Sequence, residues 1–327
     1  MNRRQTLAAL LALAATPRPL DAASSTSPRI GYVVLESLRE LPTRERLAFL
    51  EGLRELGQIE GKSFEIVYRS AENEPEFLPA MCQELVNAKV DVLATVGALP
   101  TLACLETTHT VPIVFLAAGD PIGIGAAESL GRPGRNATGV SYILSELAGK
   151  RVEFLRLAVP NARRVSFLWD RTHRESQIEI EIALAAAVKL GIRADSIPID
   201  SQITLNSALE RIARQRPDAV YVSFVAGVIA RNRTAIAEFG LRRRLPVISG
   251  WAFLTEAGAL LSYAPDILAM FRRSAYYVDR ILKGARPGEL PIEQATKIEL
   301  VINLGTARKL GITLPPDIML HADRVIE

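Results

Sequence analysis

The sequence predicts an α/β protein of two doubly wound parallel-sheet lobes, joined by a multi-strand hinge with a ligand cleft between the lobes. Three observations predict it. Short, continuous Val/Ile/Leu runs alternate with helix-spaced apolar patterns, as in parallel strands covered on both faces. The alternation runs twice, on either side of a stretch holding Gly119, Gly123, Gly125, Gly131, Pro133, Gly134 and Gly139. A chain of 327 residues exceeds one minimal domain and suits two lobes of ordinary size.

The elements follow in order. Arg29–Leu35 reads as a buried strand. Thr43 suits a helix N-cap, Leu47, Leu50, Leu53 and Leu56 recur at helical spacing, and Gly57 is a helix stop. Phe64–Tyr68 is the next strand, and a helix from Glu76 to Ala88 turns Leu78, Cys82, Leu85 and Val86 inward. Val90–Val96 is a strand, Pro100–Glu106 a short helix and Pro112–Ala117 a strand. After the Gly/Pro-rich stretch, Glu146–Ala158 is helical, Val165–Trp169 is a strand, and Glu175–Leu190 is a helix ended by Gly191. Arg193–Ile199, Ala219–Phe224 and Val247–Ser249 are strands, separated by helices near Thr204–Gln215 and Ala226–Arg243. The tail adds the strand Ala259–Tyr263, the helix Ile267–Lys283, the strand Lys297–Ile302 and the helix Gly305–Leu310. This order suits a chain that returns to the first lobe and crosses back. Lobe 1 is therefore expected over residues 28–140 plus 264–295, and lobe 2 over 141–263 plus 296–327.

Residues 1–27 have the layout of a secretory signal peptide. Arg3 and Arg4 precede the apolar run Leu7–Ala15, Pro17 and Pro19 break it, and Ala22, Ala23, Ser24 and Ser25 follow. The run is shorter than the ~20 residues that span a bilayer. The paired arginines leave both the twin-arginine and the general export route open. Formal net charge is +3, but Arg3, Arg4 and Arg18 outweigh Asp21 in the leader, leaving a nearly neutral body. That balance argues against a nucleic-acid partner, which needs a basic face. His109, His173 and His321 match no metal-ligand spacing. No phosphate loop, dinucleotide fingerprint or nucleophile elbow occurs. Cys82 and Cys104 fall on predicted helices of one lobe. An exported protein can pair them, but buried free thiols are the reading taken here.

A set of short motifs extends from Glu60 to Asp323. The first half holds Glu60-Gly61-Lys62, Val111-Pro112-Ile113-Val114-Phe115, Gly119-Asp120-Pro121, Arg132-Pro133-Gly134 and Thr138-Gly139-Val140. The second half holds Leu261-Ser262-Tyr263, Arg280-Ile281-Leu282-Lys283-Gly284, Leu290-Pro291, Glu299-Leu300-Val301-Ile302-Asn303 and Ala322-Asp323. In their order these motifs resemble the ABC transporter substrate-binding proteins grouped with predicted tryptophan/tyrosine binders, which have a type I periplasmic-binding fold. The resemblance implies capture of a small polar organic solute, amino-acid-like or an organic acid, by hinge closure in the interlobe cleft. It implies a periplasmic, monomeric protein that delivers to an ABC permease in the inner membrane, with no cofactor and no chemical turnover. A ligand-sensing periplasmic protein reporting to a membrane receptor is the alternative. Two departures stand out. The turn usually ending Pro-Gly-Gly reads Pro133-Gly134-Arg135, and the loop after the first strand carries Glu36, Arg39 and Glu40. Charge in that loop speaks against an aromatic amino acid as the solute.

Ligands of doubly wound sheets bind beyond the carboxyl ends of the strands, which selects the candidate contacts. Thr95 to Thr101, with Gly97, Ala98 and Leu99 between, joins a strand end to a helix start, where free backbone N–H groups suit a carboxylate. Asp120, beside Pro121, suits an ammonium group or simply a turn. Ser141 and Tyr142 stand at a lobe crossing, where hinge packing is the plainer role. Asp170 and Thr172 end a second-lobe strand and suit a polar contact or a helix cap. Phe224, Trp251 and Tyr263 sit at strand ends, where aromatic faces stack on a solute or pack the core.

Overall fold

The computed structural model describes residues 27–38, 42–142, 144–172, 174–223 and 227–327. The signal-peptide expectation over residues 1–27 and the Phe224 expectation fall outside the described residues, apart from Ser27.

In chain order the first half runs β1 (Arg29–Val34), α1 (Arg44–Glu55), β2 (Glu65–Ser70), α2 (Leu78–Asn87), β3 (Val92–Thr95), α3 (Ala98–Thr107), β4 (Ile113–Ala118) and β5 (Ala137–Ser141). The second half runs α4 (Leu144–Ala158), β6 (Arg164–Asp170), α5 (Arg174–Lys189), β7 (Arg193–Ile199), α6 (Gln202–Gln215) and β8 (Ala219–Val222). It continues with α7 (Val228–Arg231), α8 (Arg233–Arg243), β9 (Val247–Ser249), α9 (Ala252–Glu256) and β10 (Leu261–Pro265). The tail holds α10 (Ile267–Leu282), β11 (Glu293–Gln294), β12 (Ile298–Asn303), α11 (Leu304–Leu310), α12 (Pro316–Leu320) and β13 (Arg324–Ile326).

These strands form two sheets, in the orders β11-β5-β4-β3-β1-β2 and β13-β12-β10-β9-β8-β6-β7. Every pairing in the first is parallel, and in the second only β10 with β12 is antiparallel. The fold class is the one the sequence predicts. Each sheet is buried between two apolar layers. Phe49 and Leu53 of α1 join Phe271 and Val278 of α10 on one face of the first sheet, and Leu85 and Cys104 lie on the other. In the second sheet Val152 and Ile180 cover one face, and Leu205 and Ile236 the other. All six residues of β4 are buried, which is why its sequence is apolar throughout.

Local chemistry sets the helix starts. Thr43 Oγ1 accepts from Arg46 N, Asp266 Oδ1 accepts from Ala269 N, and Ser201 and Thr204 form a reciprocal capping box. The chain passes between the sheets three times: from β5 to α4, from β10 to α10, and from β11 to β12.

The structure corrects three readings. Cys82 and Cys104 are paired, not free: α2 and α3 lie side by side and bring their Cα atoms to 5.3 Å. The single helix expected over Ala226–Arg243 is two, broken at Asn232, whose side-chain amide donates to Val228 O at 2.8 Å. Such local bonding competes with helix continuation. Ala137–Ser141, read as part of the Gly-rich connection, is strand β5. Gly139 has φ +151, and a Cβ there would sit 2.2 Å from Phe115 O, so only glycine lets β5 pair so closely with β4.

Candidate functional site

Loops that follow the carboxyl ends of one sheet's strands meet those of the other. Arg44, after β1, pairs with Glu256, after β9, at 3.0 Å. Arg231, after β8, donates to Asn73 Oδ1, after β2, at 3.1 Å. These contacts join the lobes at the β1–β2 end of the first sheet, and the candidate site lies at its β4–β5–β11 end.

Its first wall starts at an irregularity in β4. Leu116 pairs with Val140 and Ala118 with Ser141, so Ala117 is bulged out of register, with φ +142. Bulges of this kind re-aim a strand end beside a site. Here the result is the turn Gly119-Asp120-Pro121-Ile122, locked by Asp120 Oδ1 accepting from Gly123 N at 2.8 Å. The hinge supplies Ser141 and Tyr142. Tyr142 N donates to Ala118 O at 3.2 Å, and Ala295 N donates to Ser141 O at 2.8 Å, binding two lobe crossings together. Ser141 is 1% exposed, and its hydroxyl has no hydrogen-bond partner among the described residues.

The second wall is the first turn of α5. A Cβ at Gly119 would lie 3.0 Å from Glu175 Cγ and 3.1 Å from Tyr142 Cε2. The lobes therefore touch at Gly119 because it lacks a side chain. Between the walls lies a cavity of about 220 Å³, lined by Gly119, Asp120, Pro121, Ile122 and Leu130 from lobe 1. Glu175 and Ile178 line it from lobe 2, and Ser141, Tyr142 and Gln294 from the hinge. Burial, with Glu175 and Glu179 adding, pushes the Tyr142 phenol well above its ordinary range. Tyr142 stays a neutral donor and an apolar face, and it packs with Trp251 around Ala264.

Behind α5 lies a buried polar network. Arg151 of α4 pairs with Glu179 at 2.6 Å, both fully buried. Tyr221 O–H donates to Glu179 at 2.7 Å, and Arg151 Nε donates to Tyr263 O at 2.7 Å. The network fixes α5 against the crossing strand β10 one turn below Glu175.

The other sequence candidates spread around this centre. Thr95 and Thr101 are fully buried, their hydroxyls 2.8 Å apart, and Thr101 Oγ1 donates to Gly97 O. Gly97 has φ +81 at the α3 N-cap, and Ala98 and Leu99 are half-buried. What this turn presents to a solute is backbone N–H groups, since the two hydroxyls are taken up with each other. Asp170 is fully buried and accepts from Thr172 N and Oγ1 and, at 3.4 Å, from Val228 N, so it organises two loop starts. Thr172 is exposed. Trp251 rests against Phe253 with ring centroids 4.9 Å apart. Tyr263 packs at a tilt against Phe154 of α4, inside the second lobe, with ring centroids 4.9 Å apart. Just after β1, Ser37 donates to Glu72 Oε2 and Ser70 to Glu36 O; Arg39 and Glu40 of the expected charged loop fall outside the described residues. The structure thus brings Asp120, Pro121, Ser141 and Tyr142 to one cavity and leaves the β3–α3 turn, Asp170, Thr172 and Tyr263 outside its lining. Sequence reading missed Glu175, Ile178 and Gln294. The available signal was position: Glu175 opens the helix after β6, as the β3–α3 turn does after β3. No group of three or more His, Cys, Asp or Glu among the described residues is placed to hold a metal ion.

Comparison with known proteins gives consistent findings. A family model described as ABC transporter substrate binding protein matches residues 42–326. A tyrosine-binding protein of Clostridioides difficile (strain R20291) is 22% identical over 280 residues, covering 85% of this chain and 80% of that one. A conserved domain protein from Vibrio cholerae is 26% identical with a TM-score of 0.83, covering 91% of this chain and 99% of that one. The ABC domain from Streptococcus pneumonia in complex with L-Trp is 24% identical with a TM-score of 0.84, covering 92% and 100%.

Proposed function

The chain belongs to the family of ABC transporter substrate binding proteins, and from that premise we propose that it is the exported solute-binding component of an importer. It captures a small polar organic solute in the interlobe cleft and delivers it, on closure, to a permease of the inner membrane. One observation carries the reading: the cavity at the hinge has walls from both lobes, with Asp120 on one side and Glu175 on the other. A solute there touches both lobes only when they are shut, so binding and closure become one event. The contacts Arg44–Glu256 and Arg231–Asn73 lie at the rim where closing lobes meet.

Two further observations support it. The Cys82–Cys104 disulfide suits an oxidising compartment and so the export expected of the leader. The L-Trp complex of the pneumococcal protein and the name of the clostridial one support an amino-acid-like solute. No helix among the described residues is long and apolar enough to cross a membrane. The test is titration of the mature chain with a panel of amino acids, amines and organic acids. A binding solute stabilises the fold by RT ln(1 + [L]/Kd), about 2.7 kcal/mol at a hundredfold excess over Kd, and so raises Tm. It also reduces the radius of gyration in small-angle scattering. A solute that binds tightly with no compaction refutes hinge closure.

A further inference from the structure

The nearly neutral body conceals an uneven placement of charge. In the second sheet β9, β8, β6 and β7 are neighbours and parallel, so their amino ends make one edge, opposite the carboxyl ends that meet the first lobe. Arginine leads into every one of them. Arg163 and Arg164 lead into β6, Arg193 opens β7 opposite Arg164, Arg216 stands before β8 and Arg244 before β9. Helices α5, α6 and α8 end on the same edge and add Lys189, Arg214, Arg242 and Arg243 in their last turns. The carboxylates there are engaged. Asp195 pairs with Arg164 at 2.6 Å, Glu238 with Arg242 at 3.1 Å and Glu210 with Arg214 at 3.7 Å, and Asp218 accepts from the backbone N–H groups of Arg163 and Arg164. Arg163, Lys189, Arg193, Arg216, Arg243 and Arg244 remain exposed, with no ion pair among the described residues. Every turn leading into the four strands lies within those residues.

Helix dipoles favour a cation in a last turn. They do not account for Arg163 and Arg193, or for arginine where the backbone turns left-handed. Helices α1, α5, α10 and α11 stop at Gly57, Gly191, Gly284 and Gly311, all with positive φ. Helices α6 and α8 stop instead at Arg216 and Arg244, with φ +46 and +53, a conformation glycine adopts at lower cost. Glycine would serve the turn; the guanidinium serves the surface. The edge carries apolar groups as well. Val188, 71% exposed, precedes Lys189 in the last turn of α5, and Leu157, also exposed, stands in the last turn of α4, which packs on α5. Cations with exposed aliphatic groups beside them suit a lipid interface, whereas nucleic acid would gain from the arginines and nothing from Val188.

We propose that this edge docks on an anionic phospholipid bilayer, its free cations meeting the lipid phosphates and Val188 and Leu157 settling among the headgroups. Four strands spaced ~4.8 Å apart make a face about 14 Å wide, and each cation held near such a surface is worth about fivefold in affinity. Docking here leaves the carboxyl ends of the strands, and the cleft, clear.

The test is sedimentation of the mature chain with vesicles of phosphatidylcholine alone and of phosphatidylcholine mixed with phosphatidylglycerol, beside titration with a DNA duplex. The expected result is binding to the mixed vesicles only, weakening as salt rises. The double change Arg216→Gly with Arg244→Gly should cut vesicle affinity at least tenfold while leaving Tm unchanged or higher, which loss of a structural interaction would not do. Val188→Ser should cut vesicle affinity several-fold. No preference for the anionic vesicles, or full affinity in the double variant, overturns the proposal. A DNA duplex bound more tightly than the anionic vesicles, and undiminished by Val188→Ser, overturns the lipid assignment in favour of nucleic acid. Solute capture is read separately, since none of these substitutions touches the hinge cavity.

Discussion

Replacing Glu179 by Gln should cost the second lobe about 3–5 kcal/mol, the range for removing one partner of a buried ion pair. The reasoning starts from geometry. Glu179 and Arg151 are both fully buried and 2.6 Å apart. Burial opposes the charge on Arg151, yet Tyr221 and Glu179 outweigh it and hold the guanidinium above its ordinary value. The amide side chain would keep the shape and an acceptor for Tyr221, but it would take away the counter-ion that Glu179 gives Arg151. A neutral hydrogen bond is worth only about 1 kcal/mol, so the charge carries most of the loss. The double change Arg151→Met with Glu179→Leu should recover much of the cost, because an apolar pair needs no desolvation of charge. Tyr221 then loses its acceptor, which returns about 1–3 kcal/mol of penalty. Urea denaturation followed by tryptophan fluorescence is the assay. Trp169 packs in the second lobe's core and Trp251 where that lobe meets Tyr142, so the signal reports the second lobe and its junction. A loss below about 1 kcal/mol for the Glu179→Gln variant would refute the account, because it would mean that Arg151 has another way to be compensated.

Four more outcomes can be measured. Arg44→Ala should weaken solute affinity by up to about fivefold, less at high salt, because the Arg44–Glu256 pair is surface-exposed and worth about 0–1 kcal/mol. Burial works to raise the Glu256 carboxyl, but Arg324 and Arg44 hold it below 4.5; its contribution is present above 4.5 and lost as pH falls through the depressed value, so affinity measured down to acid pH should fall there in the parent and less in Arg44→Ala. Reducing Cys82–Cys104 should destabilise lobe 1 by about 3 kcal/mol from chain entropy alone for a separation of 22 residues, read as a fall in Tm by calorimetry with and without reductant. Gly119→Val should lower affinity at least tenfold, since the new side chain meets Glu175 of the opposite lobe as well as the neighbouring Tyr142; unchanged affinity by calorimetry would mean the lobes do not close on that contact.

Much of the fold was legible because its core strands carry their own pattern. Ile113–Ala118 and Val92–Thr95 are apolar on both faces, and a run of that kind has few other places to go. The edges were not legible. Glu293–Gln294 is a strand only because it pairs with Val140 and Ser141, and its two residues have no pattern of their own. Ala137–Ser141 hid behind Gly139, which normally weakens a strand and here permits one. At the site, Asp120 could be picked out because it lies just past the apolar strand ending at Ala118, and Ser141 and Tyr142 because they follow Thr138-Gly139-Val140 at a lobe crossing. Glu175 and Gln294 could not, because they reach the cavity from the other lobe and from the last crossing. The mutual bonding of Thr95 and Thr101 was equally invisible: six residues of separation says nothing of which way two hydroxyls turn.

The route of the chain has a consequence for biogenesis. The first lobe is not complete when its five leading strands have been made, because α10 and β11 come from residues 267–294, after the body of the second lobe. Until then Phe49 and Leu53 lack the helix that covers them, and β5 has a bare edge. During synthesis the amino-terminal half is thus left unfinished until nearly nine-tenths of the polypeptide exists. Late closure of that kind leaves a nascent chain incompletely packed for most of its synthesis, which would suit the export proposed above.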